Sequence, residues 1–146
     1  MFHKRKYTPK NPEKYAGDPH NIIMRSSWET RFASWCDREP SIIRWSSEET
    51  IIPYVCPTDN KLHRYFVDFK IKVRQGDGKE YVYLVEVKPL KQTIAPVFPG
   101  RKTKKYLTES FSFIKNQAKW QAADNYCKDR GWTFKIITER ELGISN

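Results

Sequence analysis

Two carboxylates occupy positions that a β-hairpin would bring together. Residues 64–74 read RYFVDFKIKVR and alternate apolar and polar side chains with the period of a strand. Residues 80–88 read EYVYLVEVK, rich in the β-branched and aromatic residues that strands favour. A Gly-Asp-Gly turn at 76–78 connects them. With the turn centred on its Asp, Asp68 lies opposite Glu86, so their Cβ atoms are expected ~4.5–5.5 Å apart.

The chemistry open to this pair is metal binding. Two carboxylates held face to face repel each other, and a divalent cation compensates, because hard ions such as Mg²⁺ take carboxylate oxygens together with water. Lys88 lies two residues beyond Glu86 and so points to the same face. In in-line phosphodiester hydrolysis, the acids would anchor the metal, the metal would polarise the phosphate and activate water, and the lysine would orient the nucleophile. We expect Mg²⁺ as the cofactor, with Mn²⁺ able to replace it.

Exposed strand faces often carry acids and lysines by chance, so this pattern alone is weak. Three features favour a site. The register is symmetric about the turn, and an apolar triplet, YFV or YLV, precedes each acid. A charge in such a setting is half-buried and needs a reason to be there. Pro89 ends the second strand directly after Lys88, which leaves these side chains near the end of the sheet, where sites of open α/β sheets collect.

The charge balance indicates a polyanionic partner. Of 146 residues, 27 are Lys or Arg and 17 are Asp or Glu, which gives a formal net charge of +10 and a pI near 9.6. Nucleic acid is the first candidate for such a chain. The alternative is that the charge only keeps the protein soluble.

The number and spacing of the cysteines and histidines predict neither a disulfide framework nor a structural zinc site. Cys36, Cys56 and Cys127 are odd in number, far apart and without a CxxC pair, which favours a reducing compartment and buried apolar roles. The three histidines do not combine with them at zinc-site spacing, so structural zinc is not expected. No stretch approaches the ~20 apolar residues of a membrane span, and the N-terminus lacks the apolar segment of a signal peptide.

The elements that position the site follow from capping signals and periodicity. Residues 1–24 are basic and contain three prolines, which predicts an N-terminal arm, extended or loosely docked, before a domain over 25–146. A helix is expected from about Ser27 to before Pro40. The remaining predictions are strands at 42–45 and 50–55, the hairpin, a loop at 89–105, a helix at 108–130, a strand at 132–138 and a final helical turn from Thr138. This order predicts a single-domain α/β fold, with a mixed β-sheet around the central hairpin and helices on its flanks.

Side-chain spacing predicts which helix faces are buried. Trp28, Phe32 and Trp35 fall on one face of the first helix, with Glu29 beside them. In the second helix, steps of three and four residues predict a core face of Phe111, Ile114, Ala118, Gln121, Ala122 and Tyr126. The five tryptophans are expected in the core rather than on a base-stacking platform.

The combined pattern resembles the PD-(D/E)xK nuclease superfamily: a helix acid, an aspartate on the first hairpin strand, and Glu-Val-Lys at the end of the second. The segments SSWETRFASWCD, IPY, RYFVDF and LVEVKP look closer still to the head-completion nucleases of T-even-type tailed phages. They are also similar to the endonuclease subunits that cut transposon ends. The resemblance extends over about residues 25–140, including AADNYCKDRGWTFKIIT, and implies a restriction-endonuclease-like fold.

The resemblance implies roles for particular residues. Glu29 matches the helix glutamate that reaches the metal, often through water, Asp68 matches the metal-binding aspartate, and Glu86 matches the second ligand. The carbonyl of Val87 is a further expected ligand, and Lys88 matches the catalytic lysine. The residue before Asp68 is valine where the nominal motif has proline, which does not change the chemistry because only the Asp side chain binds metal.

Basic side chains further along the chain are weaker candidates. Those of the long loop and the following helix are expected to contact DNA phosphates: Lys91, Arg101, Lys102, Lys104, Lys105, Lys115 and Lys119. A solvated basic loop is an equal alternative. Gln117 and Lys119 are also candidates to approach the active site from the helix.

The leading hypothesis is a Mg²⁺-dependent DNA endonuclease that processes DNA ends during phage head completion. Its implied partners are DNA and phage head or portal proteins, without a membrane. Its implied place is the cytoplasm of the infected host, with association to the particle also compatible. One alternative is a nonenzymatic DNA-end-binding assembly protein of the head or neck on a nuclease scaffold. The other is a transposon-end endonuclease subunit. Substrate preference and oligomeric state are not indicated.

Overall fold

Residues 2–144 are described by a computed structural model, in which strands and helices follow largely the predicted order. The strands are β1 (Phe2–Tyr7), β2 (Ile22–Ser26), β3 (Ile42–Ser47), β4 (Ile51–Cys56), β5 (Lys61–Phe66), β6 (Phe69–Arg74), β7 (Glu80–Val87) and β8 (Thr133–Ile137). The helices are α1 (Ser27–Arg38), α2 (Lys104–Arg130) and α3 (Glu139–Leu142), with 3₁₀ turns at Pro12–Lys14 and Leu90–Thr93.

The main sheet is mixed and has the predicted hairpin at its centre. Its strand order is β3-β6-β7-β8, with β7 and β8 parallel and the other pairs antiparallel. Phe69 pairs with Val85, and this register, continued by one residue, places Asp68 opposite Glu86. Helices cover the sheet, so the predicted single-domain α/β fold is confirmed and agrees with a restriction-endonuclease-like architecture.

The predicted strand 64–74 is in fact two strands in two different sheets. β5 pairs only with β4, whereas β6 pairs with β3 and β7. The chain breaks between them because its backbone groups bond to a neighbouring turn: the Val67 N–H donates to the Thr50 carbonyl at 3.0 Å, and the Asp68 carbonyl accepts from the Glu48 N–H at 3.1 Å. The alternation of buried side chains continues across the break, which is why periodicity did not reveal it.

Two hydrophobic clusters form the core. The first is built on α1, β2 and the main sheet, and its largest fully buried side chains include Trp45, Phe69 and Met24. The second lies between α2 and the two-stranded β4–β5 sheet, and includes Tyr65, Trp120 and Cys127. The break after β5 therefore lets one continuous stretch of chain supply both clusters.

The N-terminal segment, predicted as an extended or loosely docked arm over 1–24, is docked on the domain. Its strand β1 pairs with β2, so the predicted boundary at residue 24 falls inside a strand. Tyr15 is 4% exposed and its ring lies edge-on to Trp45 at 4.8 Å. The Lys14 ammonium donates to three carbonyls at the end of α1, at 2.8–2.9 Å. The apolar anchors of this segment are too widely spaced to produce a periodic signal.

The first helix has the predicted bounds, while the second differs in its start and in its buried face. α1 is capped by the Ser26 side chain, which accepts from the Glu29 N–H at 3.2 Å. α2 starts at Lys104 rather than 108, after a Thr103 cap. Its buried residues are Trp120, Ala123 and Cys127, whereas Phe111 and Ile114 of the predicted face are 55% and 43% exposed. No helix within residues 2–144 is long and apolar enough to cross a membrane.

Candidate active site

The four predicted catalytic residues line one open cleft of about 580 Å³. It lies where the start of α1, the β5–β6 break, the end of β7 and the second half of α2 meet. The structure thus brings together side chains that are far apart in sequence. The cleft is lined by Arg25, Ser26, Trp28, Glu29, Glu48, Arg64, Tyr65, Phe66, Asp68, Glu86, Val87, Lys88, Pro89, Gln92 and Lys119.

Asp68 is positioned by the break between β5 and β6. Because β6 begins only at Phe69, the side chain of Asp68 takes the place of a backbone acceptor, and its Oδ2 accepts from the Val87 N–H at 2.9 Å. Burial holds the pKa of this carboxyl well above its ordinary value, and the charges of Glu86 and Glu29 raise it further. The site therefore carries an electrostatic strain that a bound cation would relieve.

Glu86 is the most buried acid of the cluster, with 6% of its surface exposed. Its Oε1 accepts from the Tyr65 hydroxyl at 2.5 Å, and its Oε2 lies 3.4 Å from the Lys88 ammonium. The backbone of Lys88 is held as well, because its N–H donates to the Ile137 carbonyl of β8 at 3.0 Å. Both carboxylate oxygens of Glu86 thus have fixed partners, and the lysine is anchored to the sheet.

Glu29 lies in the first turn of α1 and faces the same cleft. Burial raises the pKa of its carboxyl, and the charges of Glu48 and Glu86 add to this effect. Its Oε1 accepts weakly from the Arg25 N–H at 3.4 Å. A carboxylate here also stabilises the N-terminus of the helix, so Glu29 combines a capping position with a place in the acidic cluster.

The donor set of the cluster fits a hard divalent cation. The charges of Glu86 and Glu29 raise the pKa of Asp68, the charge of Glu86 raises that of Glu29, and the donor atoms of all three side chains are oxygens. Oxygen ligands suit Mg²⁺ or Mn²⁺, whereas zinc favours nitrogen and sulfur. Val87 lines the cleft, and the role of its carbonyl as a ligand remains a prediction.

Sequence reasoning missed three residues of this cleft. Tyr65 is the hydroxyl partner of Glu86, and its place in the motif RYFVDF was the one available signal. Glu48 has a left-handed backbone, with φ of 54°, and pairs with Arg25 at 2.7 Å between Oε2 and Nε. Nothing in the local sequence marked this ion pair, because it joins the strand that leads into α1 to the turn after β3.

Among the predicted basic residues, only Lys119 reaches the cleft. Its ammonium is half-buried and lies 5.6 Å from the Tyr65 ring centroid. Burial lowers its pKa, as do the charges of Lys88 and Lys115, while Glu86 opposes the shift. The other basic residues are exposed and do not line the cleft, so their contact with DNA stays a prediction: Lys91, Arg101, Lys102, Lys104, Lys105 and Lys115. Gln117, the other side chain expected to approach the active site from the helix, is exposed and does not line the cleft, and its contact with DNA likewise stays a prediction.

The fold and the cleft together define the class of protein. A mixed sheet that carries an aspartate, a Glu-x-Lys strand end and a helix glutamate at one edge is the arrangement of PD-(D/E)xK nucleases. In agreement, residues 39–139 match the family model described as TnsA-like endonuclease N terminal. The chain belongs to this TnsA-like endonuclease family. The matched range contains Asp68, Glu86 and Lys88 and begins after Glu29.

Similarity to a known nuclease extends over nearly the whole chain. The head completion nuclease of Enterobacteria phage T4 is 41% identical over 151 residues. The similarity covers 99% of this chain and 98% of that protein. It therefore includes Glu29, which the family model does not reach.

Proposed function

We propose that this chain is a Mg²⁺-dependent DNA endonuclease that hydrolyses phosphodiester bonds while DNA is processed during phage head completion. The observation that carries the proposal is the convergence of Glu29, Asp68 and Glu86 beside Lys88 in one open cleft. Membership of an endonuclease family supports the reaction class. The name of the T4 relative supports the biological setting.

Each of these side chains would have a distinct role in hydrolysis. Asp68 and Glu86 would hold the ion, with Glu29 beside it, and a bound divalent ion polarises a phosphate and lowers the pKa of water. Lys88, held 3.4 Å from Glu86, would orient the attacking water and offset charge on the phosphate. Lys119 faces the cleft from α2 and would bind a phosphate oxygen.

DNA is the proposed substrate on grounds of charge as well as family. A net charge of +10 favours a polyanion, and the exposed basic run at residues 101–105 would extend the contact along the backbone. Head or portal proteins are the proposed partners, and the infected host cell, with association to the particle, is the proposed location. These follow from the setting named for the T4 relative.

Cleavage assays with matched controls test the proposal. Plasmid DNA and end-labelled flapped duplex are incubated with Mg²⁺, Mn²⁺ or chelator, with wild type and with Asp68→Asn and Lys88→Ala. The control substitutions are Asp129→Asn and Lys79→Ala, an acid and a lysine at exposed positions outside the cleft. We expect metal-dependent cutting by wild type and the controls, and binding without cutting by the two cleft variants.

Two other results would reject parts of the proposal. DNA binding without cleavage under any metal would identify a DNA-end-binding assembly protein on a nuclease scaffold. Cleavage that persists in chelator, or in Asp68→Asn, would place the chemistry elsewhere. A preference for flaps, ends or intact duplex would identify the DNA structure that the enzyme processes.

A further inference from the structure

A second group of potential metal ligands lies outside the cleft, at the tip of the β4–β5 hairpin. Within residues 2–144, Cys56, Asp59 and His63 place one possible ligand atom each within 4.8 Å of the other two. They differ from the cleft acids in chemistry, because the set combines a thiol, an imidazole and a carboxylate. Such a mixed set suits a borderline-soft ion rather than Mg²⁺.

The turn has a conformation that wraps the chain around Cys56. The Cys56 carbonyl accepts from the N–H groups of Asp59 and Asn60, at 3.4 Å and 2.8 Å. Asn60 then adopts a left-handed conformation with φ of 58°, which returns the chain into β5. Backbone bonds thus hold the first two candidate ligands on the inner side of one tight turn.

The returning strand brings His63 to the same face. Cys56 pairs with Lys61 and Tyr54 pairs with His63, so Cys56 and His63 are diagonal neighbours on the face that carries Tyr54. His63 Nε2 lies 2.7 Å from Asp59 Oδ2, which orients the ring toward the turn. Cys56 is buried beneath the turn, and its Sγ lies 3.0 Å from the Thr58 hydroxyl.

We propose that Cys56, Asp59 and His63 form a zinc site, with water as the fourth ligand. Zn²⁺ takes Cys, His and Asp side chains in tetrahedral geometry, and three protein ligands plus water is one of its ordinary arrangements. The proposal departs from the expectation that structural zinc is absent. That expectation considered only cysteine–histidine combinations, and the Cys-x₂-Asp-x₃-His spacing has a carboxylate where a second cysteine would stand.

Binding requires small, local adjustments. Zinc bond lengths place ligand atoms roughly 3.5 Å apart, so the Asp59–His63 hydrogen bond opens and the imidazole moves toward the sulfur. Asp59 and His63 have room for this, since each side chain is 39% exposed. The Cys56 thiol releases its proton to solvent as the Zn–S bond forms.

The site would hold together the tip of the β4–β5 hairpin, whose opposite end contacts Glu86 of the cleft. Tyr65, the partner of Glu86, lies two residues beyond His63 on the same strand and face. A zinc ion at the tip would therefore stabilise the strand that positions this hydroxyl. This ion would be separate from the one proposed for the cleft.

Cobalt substitution tests the site directly in the full chain. Metal-stripped protein is titrated with Co²⁺, which gives a thiolate charge-transfer band in the near ultraviolet and intense visible bands in tetrahedral sites. We expect one equivalent of Co²⁺ per chain to produce both features and Zn²⁺ to displace it, while Co²⁺ bound by the oxygen ligands of the cleft gives no thiolate band. Zn²⁺ at saturation should also raise the melting temperature by several degrees.

Variants identify the ligands. Cys56→Ala should abolish the thiolate band, and His63→Ala or Asp59→Ala should weaken Co²⁺ binding at least tenfold. Cys127→Ala, a change at another buried cysteine of the same core cluster, and Asp68→Asn in the cleft should leave the band unchanged. Absence of a thiolate band in wild type, or its survival in Cys56→Ala, would overturn the proposal.

Discussion

At the scale of single residues, the acids gathered in the cleft lower the stability of the folded state when they are ionised. The pKa of Asp68 is raised by burial and by two neighbouring acids, and that of Glu29 is raised in the same way. A group whose charged form is disfavoured in the native state weakens that state once it ionises. Strongly shifted pKa values of this kind are typical of functional sites.

The sign of the pH dependence follows from these raised pKa values. Between the unfolded and folded pKa of Asp68, the native chain holds more protons than the unfolded chain, so stability falls as pH rises through that window. The loss is complete above the folded pKa. We expect metal-free protein to lose stability from about pH 4 upward on this account, and Asp68→Asn to lose less.

Urea unfolding in chelator, repeated across this pH range, measures the difference. In the neutral range, Asp68→Asn should be more stable than wild type, because the variant keeps no buried charge beside Glu86 and Glu29. The asparagine oxygen can still accept from the Val87 N–H. Added Mg²⁺ should stabilise wild type and not the variant. Identical pH profiles for the two proteins would contradict the electrostatic account.

Tyr65 offers a second prediction at this scale. Tyr65→Phe leaves Glu86 Oε1 without its hydroxyl donor, so the carboxylate is free to turn away from the ion proposed for the cleft. Loss of a partner that orients a metal ligand costs ~10–100-fold in metal affinity or activity. Cleavage measured against Mg²⁺ concentration should therefore shift to higher metal. Tyr54→Phe, on the same face of the hairpin, is the control, and an equal shift there would point to a general packing effect.

The opposition of Asp68 and Glu86 could be predicted from sequence because a hairpin is local. The turn at 76–78 fixes the register, and the register alone sets Asp68 against Glu86. Tyr65 and Glu48 could not be predicted in the same way. Their partners, Glu86 and Arg25, lie on other elements, and the contact depends on where the chain breaks at residues 67–68.

At the scale of elements, α2 shows how a hydrophobic pattern can mislead. Phe111 and Ile114 repeat at helical spacing yet are exposed, while the buried stripe runs through Trp120, Ala123 and Cys127. The buried residues all lie in the second half of the helix. Periodicity predicts that a helix has an apolar face, but tertiary contacts determine which half of the helix is buried.

Paired truncations of side chains on α2 test this assignment. Trp120→Ala removes a side chain that is 6% exposed and should cost ~3–5 kcal/mol of unfolding free energy, as for other buried aromatic residues. Phe111→Ala, at 55% exposure, should change stability within about 0.5 kcal/mol. Denaturant unfolding of the two variants gives the comparison. Equal costs would mean that the first half of the helix is also packed.

The boundaries of elements were predictable where a capping residue or proline marks them. Ser26 and Pro40 bracket α1, and Thr138 with Glu141 forms the capping box of α3. The N-terminal segment carries no such mark for docking. Tyr15 and Lys14 attach it through contacts to elements that are distant in sequence, and no local pattern predicts such contacts.

Removal of residues 1–20 is therefore expected to destabilise the domain. The truncation takes away β1, the Tyr15 ring and the Lys14 cap on α1, and loss of one buried aromatic alone costs ~3–5 kcal/mol. Thermal unfolding followed by near-ultraviolet circular dichroism measures the effect. The charge control is the double substitution Lys4→Ser and Arg5→Ser, at exposed positions of β1, which should keep the melting temperature. A stable truncated protein would restore the interpretation as an arm.

At the scale of the whole molecule, the net charge predicts a salt-dependent affinity for DNA. Each phosphate bound by a basic side chain adds about −0.9 to the slope of log K against log salt. Substitution of the basic run should reduce the slope by roughly one for each phosphate that the chain no longer binds. The residues changed to serine are Arg101, Lys102, Lys104 and Lys105.

Fluorescence anisotropy with labelled duplex at several salt concentrations measures the slope. The control protein carries four serine substitutions at exposed basic residues elsewhere, at Lys10, Lys79, Lys128 and Arg140. Both proteins have the same net charge, so a difference between them reports where DNA lies. Equal slopes would show that the attraction is spread over the surface and that the loop has no special part.

The parallel pairing of β7 with β8 has a consequence for synthesis. Lys88 is held by a hydrogen bond to Ile137, and β8 becomes available only after the long helix α2 has been made. A chain emerging from the ribosome therefore carries all four acids of the cleft lining before it has the strand that anchors its lysine. The strand that anchors Lys88 forms late in translation, so the nascent polypeptide remains without a complete cleft until α2 and β8 have left the exit tunnel.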